Sequence, residues 1–366
     1  MINIFNTYID KRAYISIKRV LKSTFISEGK LVARFEDKLH KLLGLMHPVA
    51  VNSGTSALHL ALSVAGIKSG DEVICPAQTF IATATTIIAQ GAKPVFSDIQ
   101  YDTGNIDPSQ IEEKVTHKTK AIMVVHWAGY PADLDEIHLI AKKHNLLVLE
   151  DAAHALGASY RGKKIGTISP FTCFSFQAIK HVTTGDGGAV CFLERKKAQE
   201  ARNKRWFGIN REKDKPSYLG ERVYNLRLLG YKYHLNDYAA ALGLANLENF
   251  KQRLKKRRKI AQFYQKNLKE ISGLKQFNYK NDRKSSYWLF GLHVEKRYDF
   301  IRALEERGIE TSVVHQRIDR NILFGGLNKD LTSQERFDQT QINIPIHDNI
   351  GLKEASYIIK SIRKGW

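Results

Sequence analysis

Residues 175–190, SFQAIKHVTTGDGGAV, place a lysine and a glycine-rich turn between two apolar runs. The runs themselves, 171–176 and 189–193, predict two strands, and the glycines permit positive φ in the turn between them. Lys180 follows a buried strand end and lies beside His181, where desolvation and a like charge would lower its affinity for a proton. The lysine is therefore compatible with a surface charge, a phosphate ligand or a nucleophile for Schiff-base chemistry.

Short apolar runs alternate with helical patterns through the first two-thirds of the chain. The other predicted strands are 73–75, 94–97, 121–125 and 146–150. Apolar residues with a helical period predict helices at 55–65, 79–89, 108–115 and 134–144. This alternation favours an α/β fold with a mostly parallel sheet covered on both faces. In such sheets ligands gather at the carboxyl ends of the strands.

The pattern changes after about residue 240. A charged, helix-prone stretch covers 236–268, and short strands are predicted at 293–295, 312–314 and 342–346. We therefore predict two domains. Residues 1–245, which include the N-terminal segment, form the large domain, and residues 246–366 form a smaller α+β domain.

The composition is that of a folded protein with a strong positive charge. The 366 residues are 43% hydrophobic with a net charge of +20, and no apolar run approaches membrane-spanning length. The N-terminus does not resemble a signal peptide, and the three cysteines have no metal-ligand spacing, so we expect a cytoplasmic protein without a metal. The basic run at 251–259, KQRLKKRRK, predicts a solvated helix face. Nucleic-acid binding and weak attraction for anionic metabolites or surfaces are the alternatives.

A candidate phosphate site lies in residues 50–62, AVNSGTSALHLAL. Ser53, Gly54 and Thr55 follow a short apolar segment and begin an amphipathic helix. Unpaired N–H groups and the helix dipole favour an anion there. Ordinary Ser/Thr helix capping is the alternative. The segment is not a P-loop, because the glycine spacing and the following lysine are absent.

A second candidate site lies in residues 146–158, LLVLEDAAHALGA, where a predicted buried strand ends on two carboxylates. Asp151 at that strand tip is placed to hold a protonated heterocyclic nitrogen, with His154 shortly after it. The alternative is a helix-capping aspartate followed by a partly exposed histidine.

Phe80, in CPAQTFIATA, also follows a strand and could stack on a ligand ring, although a lone aromatic is more often part of a core. Together with Lys180, these motifs supply a phosphate cradle, a carboxylate for a pyridinium nitrogen and an amine for an aldehyde. Those are the parts that a pyridoxal phosphate (PLP) enzyme needs.

Over essentially its whole length the sequence resembles the nucleotide-sugar aminotransferases of the DegT/StrS type, which are fold-type I PLP-dependent enzymes. The motifs that carry the resemblance are SGTSALHLAL, PAQTFIATATTIIAQGAKPVFSDI, VVHWAGYPADLDEI, EDAAHALGASYRGKKIGTI, SFQAIKHVTTGDGGAV and LGYKYHLNDYAAALG. The resemblance implies a large domain with a mostly parallel sheet flanked by helices, a smaller C-terminal α+β domain, and PLP that cycles with pyridoxamine phosphate.

The resemblance also implies a role for each candidate residue. Lys180 would bond to the cofactor aldehyde and, once released, move a proton between the cofactor and the substrate carbon. Asp151 would pair with the ring nitrogen, His154 would contact the side of the ring that carries the 3-hydroxyl group, and Phe80 would stack on the ring face. The implied phosphate ligands are Ser53, Gly54, Thr55 and Ser175.

Residues 230–234, GYKYH, depart from the family pattern. The family implies a homodimer with each active site at the interface, where the partner chain contributes the asparagine of a Gly-Tyr-Asn-Tyr-Arg segment to the phosphate. Here Lys232 replaces the asparagine and His234 the arginine. A cationic Lys232 would still suit the phosphate dianion across the interface.

Two further departures concern the substrate. Gln177 stands where many members have histidine, so a substrate contact on that side differs. The run SVVHQRIDRNILFGG, which begins at Ser312, lacks the common Tyr-x-Pro-Leu-His pattern. His315, Arg317 and Arg320 in that run are candidate contacts for a sugar or a diphosphate, or else surface residues.

The resemblance implies a ping-pong transamination. L-glutamate would donate the amino group and leave as 2-oxoglutarate, and a nucleotide-linked keto-deoxysugar would become an amino sugar for surface polysaccharide or glycoconjugate synthesis. A nucleotide-free keto-sugar acid is the alternative substrate. A sugar dehydratase of this family would carry histidine in place of Lys180. A non-catalytic DNA-binding regulator would not need the complete cofactor set, so we expect no nucleic-acid binding. We expect no membrane insertion either, because no apolar run approaches membrane-spanning length.

Overall fold

The computed structural model describes residues 1–210, 217–222 and 224–366. Within them the central sheet has seven strands in the order β1-β9-β8-β5-β4-β2-β3, and β9 alone runs against the others. The predicted mostly parallel sheet is therefore confirmed. The strands are β1 Val49–Val51, β2 Glu72–Pro76, β3 Lys93–Ser97, β4 Thr119–Val125, β5 Leu147–Asp151, β6 Ser159–Tyr160, β7 Lys163–Lys164, β8 Phe171–Ser175, β9 Gly188–Phe192, β10 Leu274–Gln276, β11 Arg283–Lys284, β12 Phe290–Val294 and β13 Gln341–Ile344.

Helices cover both faces of this sheet. The helices of the described residues, including those of the C-terminal part, are α1 Arg12–Ser23, α2 Lys30–Leu43, α3 Gly54–Ala65, α4 Ala82–Ala89, α5 Pro108–Ile111, α6 Leu134–Lys143, α7 Arg195–Lys204, α8 Asp237–Leu247, α9 Phe250–Asn267, α10 Arg297–Glu306, α11 Thr332–Thr340 and α12 Leu352–Arg363. All six strands predicted between residues 73 and 193 are confirmed to within two residues. The helix predicted at 79–89 begins later, at Ala82, and the one predicted at 108–115 is a single turn of α5 followed by a 3₁₀ turn.

Alternating side chains of the central strands form two separate cores. Along β4, Ile122 and Val124 pack with α2, α6 and α8, whereas Ala121 and Met123 pack with α3, α4 and α7. Successive side chains of a strand point to opposite faces. A strand buried on both faces therefore becomes the continuous apolar run seen in the sequence.

A smaller antiparallel sheet, β10-β12-β13, lies in the C-terminal part of the chain and packs with α9 and α12 around its own core. The strand predicted at 312–314 is wrong: Ser312 makes only an isolated bridge to Asn343, and the positive φ of Val314 ends the extended course. The stretch predicted as helical at 236–268 consists of two helices, α8 and α9. The break between them lets Leu247, at the end of α8, and Phe250, at the start of α9, pack in the same core of the central sheet. The boundary between residues 245 and 246 stays a prediction.

The basic run at 251–259 lies on α9, and the expectation of a solvated face holds only for its lysines. Arg253 and Arg257 are buried and both pair with Asp348, at 2.6 and 3.1 Å. Arg253 also donates to the backbone carbonyl of His181, next to the candidate lysine, and Arg258 donates to the carbonyl of Ser285. The arginines of this run therefore connect α9 to the loops around the predicted site. The exposed cations are Lys251, Lys255, Lys256 and Lys259.

Candidate active site

A cavity of about 350 Å³ opens at the carboxyl ends of the central strands, the position that parallel sheets favour for ligands. Most of the residues predicted from sequence line it together. They are Ser53, Gly54, Thr55, Phe80, Asp151, His154, Ser175, Gln177, Lys180 and His315. Lys232, Arg317 and Arg320 are not among its lining residues.

One end of the cavity is the first turn of α3. The hydroxyl of Ser53 accepts the N–H of Ser56 at 2.9 Å, so helix capping is confirmed. The cap leaves the N–H groups of Gly54 and Thr55 outside the helical hydrogen-bond pattern, where they suit an anion. Ser175, the last residue of β8, closes this end. A Cβ atom on Gly54 would lie 2.9 Å from the Cβ of Ser175, so only glycine permits this close approach.

Asp151 lines the same cavity and is the last residue of β5. The hydroxyl of Thr83 donates to its Oδ2 at 2.8 Å, and the N–H of Ala153 donates to Oδ1 at 3.2 Å. Because the one proton of Thr83 is committed there, the hydroxyl of Thr79 donates to the Thr83 oxygen, at 2.6 Å. Burial raises the pKa of Asp151, and the bond from Thr83 opposes that rise. The alternative of a helix-capping aspartate is wrong, because a turn follows β5 and His154 is buried.

Lys180 lies in the turn after β8, and its Nζ is 3.6 Å from the ring centroid of Trp288. Burial lowers the pKa of Lys180 to about 7, and the charge of Asp151 opposes that change. A large fraction of the amine is therefore neutral and nucleophilic near neutral pH. The predicted contribution of a like charge from His181 is wrong. That ring donates to the Ser286 carbonyl at 2.9 Å, and burial lowers its pKa to about 3.

Aromatic rings form the wall next to Lys180. His154 stacks on Trp288 with centroids 3.8 Å apart, and His315 lies 5.8 Å from His154. Phe80 is half exposed at the cavity mouth, 5.2 Å from His315. Burial and the positive charge of Lys180 hold the pKa of His154 well below its usual range, so this ring is neutral.

Sequence reasoning missed Trp288, Thr79 and Thr83. Trp288 lies in an apolar run, SSYWLF, that is typical of a core strand, and nothing local connects it with Lys180. The two threonines did leave a signal, because hydroxyl residues four positions apart lie on one face when the chain turns into a helix. Their partner, Asp151, became apparent only from the sheet.

The substrate candidates Arg317 and Arg320 are paired with carboxylates of the chain itself. Arg317 is fully buried and donates to Asp319 at 2.8 and 2.7 Å and to Glu335 at 2.8 Å. Arg320 pairs with Asp338 at 2.6 Å. Neither guanidinium reaches the cavity, since both are committed to ion pairs away from it.

Gln177 and Lys232 differ in where they point. Gln177 lines the cavity, and its Oε1 accepts the N–H of Ile179 at 3.0 Å. The exposed Lys232 lies with its Nζ 4.5 Å from the ring centroid of Trp206, outside the cavity of its own chain.

The cavity fits pyridoxal phosphate. It offers a helix N-terminus for a dianion, a partly neutral buried amine for an aldehyde, and a carboxylate whose hydrogen bonds fix its orientation. Within the described residues, Nδ1 of His154 is buried without a hydrogen-bond partner, as expected for a group that meets a ligand. No grouping of potential metal ligands is found in that part of the chain, and none of its helices has the length and apolarity needed to cross a membrane.

Comparison with known proteins agrees with this geometry. Residues 7–363 match the DegT/DnrJ/EryC1/StrS aminotransferase family. The spore coat polysaccharide biosynthesis protein SpsC of Bacillus subtilis is 36% identical over 367 residues, 97% of this chain and 94% of that protein. GDP-perosamine synthase of Escherichia coli O157:H7 is 33% identical over 95% of this chain and 94% of that enzyme. The crystal structure of the sugar aminotransferase CalS13 from Micromonospora echinospora matches with a TM-score of 0.95 at 33% identity, covering 100% of both chains.

Proposed function

Because the chain belongs to the DegT/DnrJ/EryC1/StrS aminotransferase family, whose members depend on PLP, we propose that it moves an amino group from L-glutamate to the keto group of a nucleotide-linked deoxysugar. The observation that carries the proposal is the buried amine of Lys180 in one cavity with the carboxylate of Asp151 and the α3 N-terminus. The products are 2-oxoglutarate and an amino sugar.

Lys180 has two tasks in this proposal. Its neutral amine would bond to the cofactor aldehyde and hold the cofactor in place. Released by the amino group of the donor, the same amine would take a proton from the amino-bearing carbon of the donor and deliver it to the former aldehyde carbon of the cofactor. A pKa of about 7 suits both tasks, since the amine must accept and give up a proton near neutral pH. When bound, PLP supplies an electron-withdrawing ring that stabilises negative charge at the reacting carbon.

The other lining residues hold the cofactor and orient it. Asp151, fixed by Thr83, keeps a proton on the ring nitrogen through an ion pair. The N–H groups of Gly54 and Thr55, with the hydroxyl groups of Ser53 and Ser175, bind the phosphate. Phe80 and His154 contact the ring from the cavity wall.

The substrate class rests on the relatives. GDP-perosamine synthase is, by its name, an enzyme of a GDP-linked sugar, and SpsC belongs by name to spore coat polysaccharide biosynthesis. We accordingly propose a nucleotide-linked keto-sugar and a role in surface polysaccharide or glycoconjugate synthesis. We also propose a cytoplasmic location, which the three buried free thiols suit.

We further propose a homodimer in which Lys232 binds the phosphate of the neighbouring active site. The support is the way the segment is held. Tyr231 and Tyr233 stack on each other with ring centroids 4.9 Å apart, and Tyr233 bonds to His59 at 2.9 Å. Because neighbours in an extended segment point to opposite sides, Lys232 between them is presented outward.

The first test is spectroscopic. Purified protein with PLP should show a visible absorbance band that borohydride removes. Lys180→Ala should lack the band, whereas Lys251→Ala, a control on an exposed lysine of α9, should keep it. A wild-type protein without the band contradicts the enzyme assignment.

The second test concerns substrates and assembly. Glutamate with a panel of nucleotide-linked keto-sugars should release 2-oxoglutarate, and turnover of only a nucleotide-free ketone would overturn the substrate class. Mixing Lys180→Ala with Lys232→Ala subunits should restore part of the activity, because one site of the mixed dimer then has both lysines. Failure of the mixture, with mixed dimers demonstrated, would exclude a contribution across the interface.

A further inference from the structure

The backbone at Val314 adopts a conformation that valine rarely takes. Its φ is +62°, and the N–H of His315 donates to the carbonyl of Val313 at 2.7 Å, which closes a γ-turn centred on Val314. A γ-turn with positive φ is rare and strained, and a β-branched residue there is an outlier. Such strain persists only where the surrounding structure fixes the backbone, and it concentrates at functional sites.

Three fully buried glutamines, Gln78, Gln334 and Gln341, form an amide clamp around this turn. Gln341 donates to the carbonyl of Val313 at 3.0 Å, and Gln78 donates to the carbonyl of His315 at 3.1 Å. Gln334 donates to Gln78 at 2.8 Å. The clamp joins the loop after β2 to the start of β13, so both sheets hold the turn in place.

The ring that this turn presents is a neutral hydrogen-bond acceptor. His315 lines the cavity, and burial together with Lys180 lowers its pKa to about 4. Within the described residues Nε2 is buried without a hydrogen-bond partner, and a neutral imidazole that carries its proton on Nδ1 offers a free lone pair there.

We propose that His315 is a specificity-determining residue whose Nε2 accepts a hydrogen bond from a hydroxyl group of the sugar substrate, held in place by the strained turn at Val314. This inference rests on the proposed sugar substrate. A neutral acceptor binds a hydroxyl donor and gains nothing from a carboxylate or a phosphate, which offer no proton. His315 therefore serves the half-reaction with the sugar and not the one with the amino donor.

The test separates the two half-reactions in single-turnover experiments. His315→Phe keeps an aromatic ring and removes the acceptor, so we expect kcat/KM for the keto-sugar to fall about 10- to 100-fold, with the glutamate half-reaction changed less than about threefold. Val314→Gly keeps the imidazole and relieves the strain. The midpoint temperature of thermal unfolding of this variant should equal or exceed that of the wild type, while its sugar half-reaction should slow about 3- to 10-fold. Gln316→Ala, on the exposed neighbour, is the control and should change neither.

Analogues that each lack one hydroxyl identify the contact. With the wild type, one analogue should react more slowly than the complete sugar. With His315→Phe, that analogue should react at the same rate as the complete sugar, because the contact is already lost. The same non-additivity should appear in binding. Calorimetry would compare the affinities of the amino-sugar product and of its hydroxyl-deleted analogue for Lys180→Ala protein with and without His315→Phe, and this readout does not depend on turnover. The inference is overturned if His315→Phe slows both half-reactions equally, leaves the sugar half-reaction unchanged, or is additive with every analogue.

Failure of the proposed function has a different signature. A protein without the lysine-dependent absorbance band is not the proposed enzyme, whatever His315 does. If only a nucleotide-free hydroxyketone reacts, the substrate class is wrong. The role of His315 is then decided by the same comparison of wild type and His315→Phe, made with analogues of that ketone that each lack one hydroxyl.

Discussion

Thr83→Val should weaken the hold on Asp151 without creating a cavity, since valine and threonine have nearly the same shape. The change removes the hydroxyl that donates to Oδ2 at 2.8 Å and leaves the hydroxyl of Thr79 without its acceptor. A hydrogen bond to a charged acceptor contributes about 1.5–3 kcal/mol, which corresponds to about 10- to 150-fold in an equilibrium or rate. The pKa of Asp151, which burial already raises, should rise further.

Both half-reactions should slow by similar factors, because the carboxylate acts on the cofactor and not on one substrate. PLP affinity, measured by absorbance titration of the cofactor-free protein, should fall with them. Thr83→Ser keeps the hydroxyl and should restore activity to within about threefold of the wild type.

Thr86→Val is a matched control on the same helix. Thr86 is also buried, but its hydroxyl bonds to the backbone carbonyls of Ala82 and Thr83, so the same chemical change there should lower stability slightly and leave PLP affinity unchanged. The interpretation of Thr83 fails if Thr83→Val keeps wild-type PLP affinity and turnover, or if the serine variant is as impaired as the valine variant.

Three further changes test other parts of the structure. Lys180→Met should stabilise the cofactor-free protein by about 4 kcal/mol near pH 7. Burial lowers the pKa of Lys180 from 10.5 to about 7, so the buried ammonium destabilises the fold at and below that pH. The gain should shrink as pH rises toward 10.5 in urea unfolding, and a pH-independent gain would contradict this. Gly54→Ala should lower PLP affinity at least about tenfold, because its Cβ would press on Ser175, and unchanged affinity in a titration would refute that close approach. Asp348→Asn leaves the charges of Arg253 and Arg257 in a buried site and should cost about 3–5 kcal/mol in denaturant unfolding, whereas a loss below 1 kcal/mol would indicate that solvent already screens them.

The sequence predicted the large sheet because strands buried on both faces, such as β4, leave continuous apolar runs that helices interrupt. The cofactor side of the site was predictable for a related reason: Asp151, Ser175 and Lys180 lie at or just after strand ends, and parallel strands bring their ends together. Local pattern was enough for both.

Contacts between distant segments were beyond such reasoning. The neutral amine of Lys180 depends on burial beside Trp288, and the inward-facing Arg253 depends on Asp348. Two valines in 312–314 predicted a strand, since β-branched residues favour extended backbone, and nothing local revealed that buried amides force Val314 to positive φ. Contacts between distant segments outweigh local backbone preferences most often where the chain holds a functional side chain in position, as it does for the ring of His315.

The pairing of β1 with β9 also governs when the site forms. Val49 pairs with Val190 and Val51 with Gly188, so the phosphate end of the cavity, at Ser53 just beyond β1, is built on neighbours far apart in sequence. Closing so long a loop is slow, and contacts of high sequence separation tend to form late in folding. Cofactor capture should therefore be among the last events after synthesis. A chain that retains PLP has completed this long-range pairing, so the visible absorbance of a preparation reports the share of chains that have formed it.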